Sequence, residues 1–151
     1  MMLTELDIKF VRLNNNAQVP TYAKHGDAGA DLYASEDFVV PCRGRAIAST
    51  GIAIEIPYGY VGLVHPRSGL AAKHGLTVTN APGTIDSGYR GEIKVLFVNH
   101  GDEHLGFLKG DRIAQLVVQP YIHAMFHEVD FLADSERSTG GFGSTNLSVR
   151  V

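Results

Sequence analysis

The most constraining feature of this chain is a succession of short β-prone segments interrupted by turn residues roughly every ten positions. Residues 8–13 (IKFVRL), 38–40 (FVV), 46–56 (AIASTGIAIEI), 60–65 (YVGLVH), 93–99 (IKVLFVN), 112–119 (RIAQLVVQ) and 124–131 (AMFHEVDF) are rich in β-branched and aromatic side chains, which suit a pleated, half-buried surface. Pro41, Pro57 with Gly59, Asn80 to Gly83, Gly88, Gly101 and Lys109-Gly110-Asp111 separate them, supplying residues that preset or permit turn dihedrals. Helical character is confined to Ser68 to His74, a short stretch bounded by Gly75. Strands so regularly spaced predict an all-β fold, a sandwich or a jelly-roll-like barrel.

At 151 residues the chain is long enough for one core and one type of site. Apolar residues at 44% against 19% charged give a globular balance, and no run is long enough to span a bilayer. A formal net charge of −3 provides no general attraction to nucleic-acid backbones, so a phosphate site requires a local concentration of donors. Cys42, the single cysteine, can form no internal disulfide. The start, MMLTELDIKF, lacks the basic stretch and apolar block of a secretory signal. Together these predict a reducing, cytoplasmic location.

Composition shifts near Leu132. The expected division is a β-barrel domain over 1–132 and an arm over 133–151. The Gly, Ser and Thr content of the arm predicts mobility while a site is empty, and a plain disordered terminus has the same composition. His123 and His127 are four apart, but in a predicted strand that spacing does not mimic adjacent helical turns, so no zinc site is expected.

Five segments carry possible chemistry. Pro66-Arg67-Ser68-Gly69-Leu70-Ala71 places a guanidinium, a hydroxyl and a glycine amide in consecutive positions. That is a plausible phosphate clamp, and equally the composition of a strand-ending turn with a solvated Arg. Arg137 to Thr145 (RSTGGFGST) repeats the combination and adds Phe142, a ring able to stack on a flat base. Leu76 to Val98 reads as a hairpin whose first arm alternates through Thr79 and turns at Asn80 to Gly83. Within it, Asp86 occupies a Gly-flanked loop with Tyr89 three residues on. A carboxylate there can accept a proton from water if it faces a pocket, or cap its own backbone in an Asx-turn. Asp31 and Asp111 lie in two further acidic turns, AGADL and KGDRIAQL. Gln115 shares a strand face with Ile113 and Val117 and needs a partner for its amide.

In the order AGADLYAS, PRSGLA, GTIDSGYRGEI, GDRIAQL and RSTGGFGST, these segments resemble the trimeric deoxyuridine triphosphatase family along nearly the whole chain. The resemblance implies a jelly-roll-like β barrel, a homotrimer with active sites shared between subunits, and hydrolysis of dUTP to dUMP and pyrophosphate with Mg2+. It assigns Asp86 to the carboxylate that activates water, and Tyr89 to packing against deoxyribose. It places Asn80, Thr84 and Ile85 on the edge that pairs with uracil, with Lys94 bordering the nucleoside. Arg67, Ser68 and Gly69 fall on the phosphate motif, Gln115 contacts the reacting phosphate region, and Asp31 has an organising role. Arg137, Phe142, Gly143 and Ser144 match the closing arm. Mg2+ is expected on substrate phosphates and water, with no direct protein ligand. Ser138 and Thr139 depart from a more glycine-rich arm, and Gly88 replaces a frequent acidic residue. A dCTP deaminase of related fold and a catalytically silent trimeric binding module are the alternatives.

Overall fold

The computed structural model describes residues 5–141. Among these, eleven strands and one helix form. One antiparallel sheet runs β2 (Ala30–Tyr33), β11 (Arg112–Pro120), β6 (Tyr60–His65), β8 (Gly83–Ile85), and a second runs β4 (Arg45–Ser49), β9 (Lys94–Asn99), β7 (Leu76–Val78). Two strand pairs complete the set, β1 (Lys9–Arg12) with β5 (Ile52–Glu55) and β3 (Phe38–Val40) with β10 (Leu105–Phe107). This is the expected all-β, jelly-roll-like arrangement of antiparallel sheets around one core. Leu32, Val40, Ile52, Ile56, Ile93, Val95, Phe97 and Ile113 are almost wholly removed from water. Phe97 and Phe107 each stack on Phe38, with centroids 5.9 and 4.9 Å apart. Burial of rings on this scale dominates the apolar contribution to stability.

The strand predicted at 93–99 forms as β9, and it alternates: Val95, Phe97 and Asn99 are buried while Lys94 and Leu96 are exposed. Asn99 is tolerated because its amide is fully used, Nδ2 donating to the Val40 and Glu103 carbonyls and Oδ1 accepting from the Gly101 amide at 2.9 Å. The helix α1 spans Ser68–His74, as the sequence predicts, and ends on Gly75 in the left-handed conformation at φ 65°.

Three expectations are corrected. The run 46–56 is two strands, because the chain leaves β4 at Thr50 and Gly51: Thr50 Oγ1 donates to the Ile93 carbonyl at 2.6 Å and the Gly51 amide to Glu92 Oε1 at 2.8 Å. The arms of the 76–98 hairpin do pair, β7 with β9 from Leu76↔Asn99 to Val78↔Phe97, but the intervening chain crosses to the other sheet, where β8 joins β6. Finally, 124–131 forms no strand. A strand needs a neighbour for its backbone donors and acceptors, and this segment has none among the described residues: Met125, Phe126 and Phe131 stay 79%, 94% and 84% exposed.

Register decides where side chains point. Gln115 lies opposite His65, Val117 opposite Leu63, and Leu63 opposite Thr84, so these share the outer face of the four-stranded sheet. Val64, Leu116 and Ile85 share the inner face and enter the core.

Candidate functional site

The sequence-predicted residues of the barrel gather in two recesses of the chain. The first, about 900 Å³, lies on the outer face and is lined by Asp31, Arg67, Ser68, Gly69, Gln115 and Arg112, together with Lys73 and both His65 and His74. Arg67 is the residue before α1, in extended conformation, with Ser68 and Gly69 opening the helix. Its guanidinium is held on two sides: Nη1 donates to the Arg112 carbonyl at 3.0 Å, and Nε stands 3.5 Å from Asp31 Oδ1. Arg112 Nη1 meets the other Asp31 oxygen at 3.2 Å. One largely buried carboxylate therefore spaces two guanidiniums that would otherwise repel, and the surplus of positive charge faces the recess.

Gln115 spans the same floor. Its Nε2 donates to the Pro66 carbonyl at 3.0 Å, which satisfies that nitrogen and fixes the amide beside the clamp. Gly29 is packed against this side chain so closely that a Cβ there would overlap Gln115 Oε1. The glycine of the AGADL turn is thus explained by close approach to Gln115.

The second recess, about 240 Å³, enters the inner edge of the sheet. Val64, Val78, Ile85, Ile93 and Leu96 give it apolar walls, and Asn80, Thr84, Asp86, Tyr89, Glu92 and Lys94 give it a polar rim. The crossing from β7 to β8 forms one wall, tied down by the Thr79 amide donating to the Leu96 carbonyl at 2.7 Å and the Ala81 amide to the Val78 carbonyl. The loop after β8 is closed by backbone and not by an Asx-turn: the Tyr89 amide donates to the Asp86 carbonyl at 3.0 Å. The Asp86 carboxylate itself is exposed, with no hydrogen bond to any described residue. Tyr89 folds back over Gly91, leaving no room for a Cβ there, and its hydroxyl donates to the Glu92 carbonyl at 2.9 Å. Lys94 Nζ pairs with Glu92 Oε2 at 3.4 Å.

Sequence reasoning did not single out Arg112, Lys73 or Glu92. The first and last lie inside the GDRIAQL and GTIDSGYRGEI segments, but the residues they contact come from remote parts of the chain. Arg137 is brought to neither recess: its Nε donates to the Gly140 carbonyl at 3.2 Å within its own exposed turn. Phe142, Gly143 and Ser144 lie outside the described residues.

Fold and recesses define a class: an all-β protein offering a cationic recess for an anion on one sheet face and, at the other, an apolar slot with a free carboxylate at its mouth. The dUTPase family pattern matches residues 15–146. Deoxyuridine 5'-triphosphate nucleotidohydrolase of Thermobifida fusca is 55% identical over 91% of this chain and 78% of its own length, and that of Nautilia profundicola 49% identical over 93% and 99%. The dUTPase of Staphylococcus bacteriophage 80alpha, solved with dUpNHpp, superposes with a TM-score of 0.86 at 30% identity, over 93% of this chain and 99% of the phage chain. A mutant dUTPase from phage phi11 of S. aureus, described with a coordinated structural Mg(II) ion, gives 0.77 at 26% identity over 83% and 98%. The chain belongs to the dUTPase family.

Proposed function

We propose that this protein is a dUTP diphosphatase, hydrolysing dUTP to dUMP and pyrophosphate, which clears dUTP from the nucleotide pool and supplies dUMP for thymidylate synthesis. Membership of the dUTPase family and the similarity to nucleotidohydrolases at about half identity support the activity. The single observation that supports the site assignment is the exposed Asp86 carboxylate, without a hydrogen bond among the described residues, at the mouth of a small slot walled by the β7–β8 crossing and Tyr89.

In this reading the backbone from Asn80 to Ile85, with the Asn80 side chain, pairs with the uracil edge. Cytosine presents an amino group where uracil presents a carbonyl, so it leaves buried groups unsatisfied at about 1 to 3 kcal/mol each. Thymine brings a methyl group that a tight wall excludes. Tyr89 lies against the deoxyribose, where a 2′-hydroxyl would not fit, and Lys94 borders the nucleoside. Asp86, ionised, takes a proton from water as the water oxygen attacks phosphorus in line. The bond from that phosphorus to the bridging oxygen breaks, and its electron pair leaves on pyrophosphate. Attack at the α-phosphorus follows the family resemblance. Arg67, Ser68, Gly69 and Gln115 receive the phosphates, with Asp31 spacing Arg67 from Arg112.

The donor chemistry of the first recess suits anions, and among the described residues no three His, Cys, Asp or Glu side chains cluster around a metal position. In this reading Mg2+ comes with the triphosphate, whose oxygens and waters would be its ligands, and would neutralise phosphate charge there.

The slot and the cationic recess open on different faces of one subunit. A homotrimer that sets the slot of one copy against the recess of another resolves this, and the exposed apolar residues Ile122, Met125, Phe126, Phe131 and Leu132 supply surface for such contacts. Residues 1–132 make up the barrel domain and 133–151 an arm, whose Arg137, Phe142, Gly143 and Ser144 close over the bound nucleotide. No helix among the described residues is long and apolar enough to cross a membrane.

Incubating purified protein and Mg2+ with dUTP, dCTP, dTTP and UTP, with phosphorus NMR of the products, tests the reading. The expected result is dUMP and pyrophosphate from dUTP alone; ammonia release from dCTP would replace it with a deaminase, and no turnover with a binding module.

A further inference from the structure

We infer that Glu92 is a positioning residue that sets sugar selectivity, by clamping the Tyr89 loop to the turn between β4 and β5. This rests on the reading of Tyr89 as the wall against deoxyribose. Glu92 makes three contacts that no neighbouring residue duplicates. Its Oε1 accepts the Gly51 amide at 2.8 Å, its Oε2 pairs with Lys94 Nζ at 3.4 Å, and its carbonyl accepts the Tyr89 hydroxyl at 2.9 Å. The side chain is largely buried, at 20% exposure, whereas Lys94 is half exposed.

The turn that Glu92 grips is itself rigid. Gly51 accepts the Leu13 amide at 2.8 Å, and Thr50 Oγ1 donates to Ile93 one residue along from Glu92. The segments after β1 and before β9 therefore hold the turn whose amide holds the carboxylate. On the slot side, the Tyr89 ring lies against Gly91 with no free volume between them. The phenol cannot approach that surface further, and its hydroxyl is bonded to the carbonyl of the clamped residue. Position 92 thus fixes the C-terminal end of the short loop bearing the ring and, through its carbonyl, the ring hydroxyl, while the Asp86 carbonyl holds the other end. A wall that excludes one hydroxyl group from a sugar must hold its place to a few tenths of an ångström, since even small displacements admit an added atom. An exposed tyrosine, 48% accessible, obtains no such rigidity from core packing.

The charge on Glu92 and its acceptor geometry make different expectations. Glu92→Gln keeps an oxygen for the Gly51 amide and loses the ion pair with Lys94. Glu92→Asp keeps the charge but withdraws the oxygen by one methylene. Glu92→Ala removes both. The test is steady-state hydrolysis of dUTP and UTP by the full-length assembly with Mg2+. Glu92→Asp and Glu92→Ala are expected to lower the ratio of kcat/KM for dUTP over UTP about tenfold. The loss is expected as a raised KM for dUTP together with accelerated UTP turnover, with kcat for saturating dUTP within about threefold of native. Glu92→Gln is expected to keep the ratio within about twofold. Near-UV circular dichroism should change in the tyrosine region for the Asp and Ala variants only.

Native selectivity in all three variants would overturn the inference while leaving the function intact. Equal damage in the Gln variant, or its failure to fold, would overturn it as well, since the remaining acceptor should suffice. If Glu92→Ala does not fold, the Asp and Gln pair decides the matter. A native protein that hydrolyses UTP as readily as dUTP would remove the Tyr89 reading beneath the inference, and one that hydrolyses neither would remove the function.

Discussion

Arg67, at the start of α1, is joined to Asp31 of β2, Nε to Oδ1 at 3.5 Å, and the second oxygen of the same carboxylate holds Arg112 at 3.2 Å. Asp31 is the least exposed member of the trio, its side chain 13% accessible against 32% and 48% for the two arginines. This places a fork of donors beside the recess while its orientation is set from behind. Preorganisation of this kind matters most where charge accumulates in a transition state.

Arg67→Lys should lower kcat/KM for dUTP by about ten- to a hundredfold, because lysine keeps the charge but cannot contact Asp31, the Arg112 carbonyl and a phosphate at once. Asp31→Asn should cost about tenfold through misplacement of Arg67, with the assembly intact. Steady-state kinetics beside size-exclusion chromatography check both. Native kinetics in Arg67→Lys would exclude Arg67 from phosphate binding.

Gly29→Ala places a methyl group where Gln115 Oε1 now lies. The nearest obstacle is the end of a flexible side chain, with Gln115 Cβ also 3.2 Å away, so the expected loss of stability is about 1 kcal/mol, the low end for added bulk. Gln115 must rotate away, however, and its bond to the Pro66 carbonyl breaks. Thermal denaturation should barely move while kcat/KM falls about tenfold; a large loss of stability with unchanged kinetics would show that Gln115 serves the fold alone.

Two truncations separate the arm from the subunit contact. Ending the chain before Arg137 should slow hydrolysis about a hundredfold, the scale of losing preorganised phosphate donors, and leave the trimer whole. Ending it before Ile122 removes the exposed apolar segment and should yield lower-order species. Light scattering coupled to chromatography, with kinetics on the same samples, distinguishes them. Monomers from the shorter deletion would mean that the arm is an assembly element.

Local signals were legible in the sequence. Ser68 to His74 with Gly75 gave the helix and its end, because a left-handed cap is a single-residue property. β-Branched and aromatic content gave β9 and β11, but the expected shared face of Ile113 with Gln115 and Val117 fails, because the irregularity between Arg112 and Ala114 sends Ile113 into the core. What escaped were properties set by remote pairing. Leu76–Val78 and Gly83–Ile85 are separated by four residues but join different sheets, and nothing in their composition records that choice. Residues 124–131 have strand composition without a strand, since pairing partners are not encoded in the segment that needs them. The small residues and Asp of Ala30–Tyr33 carry the composition of an acidic turn, which obscures a strand buried on alternate positions. The candidate site shows the same limit: Asp86 and Tyr89 could be read from one segment, whereas Arg112 beside Asp31 and Glu92 under Gly51 required the fold.

The central claim is that Asp86 supplies the base for water attack beside the uracil slot. Asp86→Asn keeps the shape of the side chain and removes its capacity to take a proton. Dissociation constants for a non-hydrolysable dUTP analogue and single-turnover rates with dUTP, measured on the same preparation, test it directly. The expected result is binding within about threefold of native and a rate reduced by about a hundred- to ten-thousandfold. Turnover close to native with intact binding would contradict the account.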